Sequence, residues 1–161
     1  MNKFKTFILL LISFILQTSV FSKIDILGAN VNILIPAIVA IGQYLGAKKG
    51  GYSGLIVGLV EDFLLTSFIG VRALSYYLIG YVVGSLKLPK DKLSGAITTI
   101  VASLFNFILV SLLYFILGKS QASILAYLPL GLLVEAILNG LVYMIYKKIV
   151  EKIMYIPTYR I

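Results

Sequence analysis

Two adjacent carboxylates, Glu61 and Asp62, lie inside an apolar run, and an arginine, Arg72, stands just beyond it. The stretch that holds them, Gly50 to Gly84, is hydrophobic enough to cross a bilayer twice. Ionisable groups at that depth are costly and turn toward a bundle interior, where they contact a partner or substrate or bind helices together. At about 100° per residue, Gly50, Gly51, Gly54, Gly58, Glu61 and Asp62 fall within about 120° of one helical surface. Glycines four residues apart let a second helix approach closely, so the glycine argument and the charge argument select the same face. Gly131, Glu135 and Asn139 repeat the arrangement at i, i+4 and i+8 near the end of the chain, which predicts a third buried carboxylate about midway along its helix.

Other chemistry finds little support. With no cysteine and no histidine, the chain has no disulfide, no thiolate ligand and no imidazole base. It has no Walker loop, zinc signature or G-x-S-x-G elbow. The aspartate companions of Asp62 are Asp25 and Asp91, both in or beside loops, which argues against an aspartyl-protease dyad. A proton-coupled carrier using Glu61, Asp62 and Glu135 would be expected to show an inverted repeat, and none is evident. The expectation is therefore no enzymatic activity, no cofactor and no metal.

The elements that must position these residues are membrane helices. A chain of 161 residues that is 60% hydrophobic and 12% charged is not a soluble domain. The pattern predicts an all-α polytopic membrane protein: a single domain of six transmembrane helices in a compact bundle. The spans fall at 4–21, 26–47, 52–68, 73–86, 93–117 and 123–146, with 147–161 a basic tail along the membrane surface. The first run lacks an A-x-A-like cleavage site and is read as a retained helix rather than a signal peptide. Asn30 and Asn32 at the start of the second span read as solvated, and Pro36 marks a kink or a half-helix start. Tyr76, Tyr77 and Tyr81 read as interfacial anchors. Gly95, Thr99, Ala102, Ser103 and Asn106 share a packing face on the fifth span.

With both termini in the cytoplasm, Lys23, Arg72 and Lys119 lie outside and the other eleven of fourteen basic residues lie inside. That is a strong positive-inside bias, and it argues for topology over nucleic-acid binding. It also places Asp62 roughly 10 Å below the outer surface at 1.5 Å per residue, within reach of Arg72. An uncompensated charge there is costly, so Arg72, a partner or protonation must neutralise it.

The central segment resembles the bacterial rod shape-determining MreD family. The likeness rests on Leu16-Gln17-Thr18-Ser19 ending the first span and on Gly50 with Gly54-x3-Gly58-Leu59-x2-Asp62. It continues in Ile69-Gly70, Ala73-Leu74 and Gly80-Tyr81-x2-Gly84. The resemblance implies a non-catalytic scaffold of the cell-elongation machinery in the bacterial plasma membrane. Such a protein pairs with MreC and links MreB filaments indirectly to the peptidoglycan polymerase and transpeptidase, so its partners are proteins and lipid, not nucleic acid. It also implies a six-helix architecture shared with the substrate-binding subunits of energy-coupling-factor vitamin transporters. The family's acid maps onto Asp62, beside Gly54 and Gly58, and Glu61 is a departure. Candidate partner-binding or buried-polar residues are thus Asp62, Glu61, Gly54, Gly58, Arg72, Glu135 and Asn139. A vitamin-binding subunit is the alternative, although its docking motif of small residues is missing from Phe4 to Phe21.

Overall fold

The structure is a computed structural model that describes residues 3–26, 29–118 and 128–153. Six α-helices are present among them: α1 Lys3–Ser19, α2 Leu34–Leu45, α3 Ala47–Leu65, α4 Val71–Ser85, α5 Lys92–Ile116 and α6 Leu128–Ile153. Three stretches within these residues are long and apolar enough to cross a membrane: Phe4–Lys23, Lys92–Ile116 and Leu130–Ile153. Large apolar side chains such as Phe63, Ile97, Ile108 and Leu130 lie exposed on the outside. An apolar exterior around a tightly packed interior is what lipid as solvent requires.

The centre is α2. Every residue from Leu34 to Gln43 is buried, and the other five helices all pack against α2. The second span was predicted over 26–47, but helix begins only at Leu34. Before it come a short 3-10 turn, Phe21–Lys23, and a two-stranded ladder, β1 Asp25–Ile26 pairing antiparallel with β2 Ala29–Asn30. Helix starts here because the Asn32 carboxamide accepts the Leu34 N–H at 3.0 Å, serving a donor that no preceding turn could serve. Pro36, in the first turn, needs no N–H partner, so it begins the helix instead of kinking it.

Gly46, with φ at 86°, joins α2 to α3 with no intervening loop. Asp91 caps α5 by accepting the Ser94 N–H at 2.9 Å. The last helix runs on through residues 147–153, so that part of the expected tail continues α6, with Val150 buried against the core. Lys147 pairs with Glu151 one turn on at 2.6 Å, and nothing in between breaks the helix. The rest of the expected tail, 154–161, lies outside the described residues, as do positions 123–127 of the sixth span.

Charge sorts by end. At one end Lys5 donates to the Ile153 carbonyl at 3.4 Å, Lys90 lies 5.2 Å from the Tyr44 ring centroid, and the Tyr44 hydroxyl donates to Glu151 at 2.5 Å. The opposite end gathers the start of α2, the α3–α4 connection, the end of α5 and the start of α6.

Candidate functional site: the acid hairpin and its cavity

The short connection after α3 makes α3 and α4 antiparallel neighbours, and glycine brings their backbones into contact. A side chain at Gly54 would meet the Tyr76 carbonyl, one at Gly58 the Ala73 backbone, and one at Gly50 the Gly80 carbonyl. Gly80 and Gly84 on α4 reciprocate, so the seam is glycine on both sides. Gly70, at φ 109°, turns the chain into α4 from a left-handed conformation that other residues rarely adopt.

Asp62 is fully buried at the head of this seam. Its Oδ2 accepts the backbone N–H of Gly70 at 2.9 Å, Arg72 at 3.0 Å and Ala73 at 3.1 Å. The Thr66 hydroxyl lies 3.5 Å from Oδ1. The free amides that open α4 are thus capped by a carboxylate from the preceding helix, where the helix dipole also favours negative charge. Sequence reasoning offered Arg72, a partner or protonation as the neutralising agent. The structure corrects this, because the compensation comes from backbone donors. The Arg72 guanidinium instead pairs with Glu61, which is 3% exposed against 34% for the arginine side chain. The Tyr76 hydroxyl adjoins the same carboxylate. Glu61 Oε2 nevertheless has no donor in bonding geometry among the described residues.

A second polar network surrounds the start of α2. The Asn32 backbone N–H donates to Asn139 Oδ1 at 2.9 Å, and the Asn32 amide donates to the Tyr76 hydroxyl at 2.9 Å. Asn139 in turn donates to the Ser103 hydroxyl at 2.9 Å. Gln17 accepts the Ile33 N–H at 2.8 Å and donates to the Val31 carbonyl at 3.1 Å. Non-helical backbone inside the bundle is thereby satisfied by side chains from α1 and α6, which is what permits it away from water.

Between these networks a cavity of about 520 Å³ opens. Arg72, Tyr76, Asn106, Phe107, Tyr114 and Glu135 are among its walls, together with Asn32 and the connection from Leu65 to Phe68. Glu135 is half-buried and sits two turns into the described part of α6, nearer its start than midway.

The family model described as rod shape-determining protein MreD matches residues 1–153. The chain belongs to the MreD family. Neither the search of curated proteins nor that of solved structures gives a match. MreD proteins are membrane proteins of rod shape determination, and the glycine and acid positions that carried the resemblance form the α3–α4 seam in this one.

Within this MreD chain the structure joins Gly54, Gly58, Glu61, Asp62 and Arg72 in one hairpin, places Glu135 across the cavity, and puts Asn139 beneath the start of α2. Tyr76 is fully buried between the two networks and is no interfacial anchor, while Asn32 is half-buried and bonded rather than solvated. An Asn two residues before a fully apolar run that holds proline was the available signal for a helix start. Tyr76 gave no such signal, since its role comes from α2 and α3 packing on it.

Asn139→Ala is expected to cost about 2 kcal/mol. Interhelical hydrogen bonds in membranes average about 0.6 kcal/mol, but this change strands the Asn32 N–H and the Ser103 hydroxyl, adding the larger cost of unpaired buried groups. Reversible unfolding in detergent measures it, and a loss below about 0.5 kcal/mol would show that water replaces the amide.

Proposed function

We propose that this chain is a non-catalytic scaffold of the cell-elongation machinery, spanning the membrane six times with both termini cytoplasmic. It binds MreC and, through it, helps couple MreB filaments to the peptidoglycan polymerase and transpeptidase. The observation that carries this reading is how the buried polar groups are used. Asp62, Asn139, Gln17 and Asn32 all bond backbone or neighbouring side chains, fixing the relative positions of helices whose outer faces are apolar. A rigid body with extensive lipid-compatible surface suits holding other membrane proteins. The gathering of Lys5, Lys90 and Lys147 at one end supports the cytoplasmic assignment of that end.

The test is purification of a tagged chain from native membranes in mild detergent. MreC is expected to accompany it, and depletion of the chain is expected to round the cells. Recovery of a tightly bound vitamin without MreC, and with cell shape intact, would favour the transporter-subunit alternative.

A further inference from the structure

The cavity between α3, α4, α5 and α6 is not accounted for by scaffolding. Its charges do not balance. Arg72 is neutralised by Glu61, whereas Glu135 lines the cavity with no ion pair within 4.0 Å among the described residues. The groups that act on Glu135 are the Arg72 guanidinium, already paired with Glu61, and the neutral Asn139 amide. A half-buried carboxylate facing a cavity with no ion-pair partner of its own favours a bound cation there.

The remaining walls indicate what kind of cation. Phe68 and Tyr114 meet edge to face, with centroids 6.4 Å apart, and Tyr76 and Phe107 complete an aromatic lining. Aromatic faces attract organic cations. A divalent metal would need several oxygen ligands of higher total charge than one carboxylate and neighbouring amides provide. The volume, about 520 Å³, lies in the range of small-molecule sites. Asn32 and Asn106 add neutral polar groups to the lining.

We propose that this cavity binds a small organic molecule carrying a primary ammonium group, with the ammonium on Glu135 and an apolar or aromatic body against Phe68, Phe107 and Tyr114. The site belongs to the isolated chain and does not depend on MreC, so the two proposals fail separately.

The experiment is calorimetry on the full chain in lipid nanodiscs with two probes of equal shape, tyramine and its neutral alcohol counterpart, tyrosol. Tyramine is expected to bind at least about tenfold more tightly, a difference of about 1.4 kcal/mol. Glu135→Gln should bring the two probes to parity without lowering the melting temperature, and Tyr114→Leu should weaken tyramine while retaining its preference over tyrosol. Equal affinity of the two probes, an undiminished tyramine preference in Glu135→Gln, or no tyramine heat at millimolar concentration would each overturn the proposal. Should Glu135→Gln fail to fold, the tyramine to tyrosol comparison on the parent chain still decides.

Discussion

Asp62→Ala is expected to be the most damaging single change in this protein, costing on the order of 4 kcal/mol. The reasoning is additive only in outline. An N-cap is worth about 1 to 2 kcal/mol, and each buried polar group left unpaired costs about 1 to 3 kcal/mol. Here one substitution strands three amides at the start of α4. Glu61→Gln should cost less, because Arg72 is one-third exposed and can be hydrated from the adjoining cavity. Asp62→Asn should fall between, because the amide keeps one oxygen acceptor but replaces the other with an N–H donor among backbone donors. Unfolding in detergent, followed by helical signal, gives the order. Stability of Asp62→Ala within about 1 kcal/mol of the parent would mean that the cap is dispensable. On the scaffold reading proposed above, Asp62→Ala should also lose MreC in purification, through the damaged hairpin and not a missing contact, since Asp62 is wholly enclosed.

Gly58→Ala is expected to be nearly as harmful, about 3 kcal/mol, the upper end for overpacking. The added methyl would fall on the Ala73 backbone, and neither helix can yield without parting the seam. Gly51→Ala is the internal control. Its methyl would meet the Tyr77 ring at 3.1 Å and the Tyr81 Cβ at 3.3 Å, tight contacts with side-chain atoms but none with the α4 backbone. The melting temperature should fall sharply for the first and little for the second. Equal behaviour of the two would contradict backbone contact between α3 and α4.

The sequence disclosed the glycine and acid face because helical periodicity alone groups those residues, and the structure places that face against α4. What it concealed was the identity of Asp62's donors. Backbone amides belong to every residue and leave no mark on composition, so a nearby arginine drew attention in their place. The all-helical class and the six helices among the described residues were legible from hydrophobic runs and short connections. The second boundary was not, because residues 26–33 are as apolar as a helix would be. Only Asn32, bonding to its own chain two residues on, reveals where regular structure begins. Glu135 was recognised by its spacing from Gly131 and Asn139, but its depth depended on where α6 begins.

The enclosed position of α2 constrains how this protein is made. Twelve residues reach only about 18 Å, well short of the roughly 30 Å of hydrocarbon, and Leu34 to Gln43 are enclosed by the other helices. Such a segment has no stable place in the bilayer by itself. Its enclosure is complete only once α3, α4, α5 and α6, all downstream of it in the chain, have packed on it.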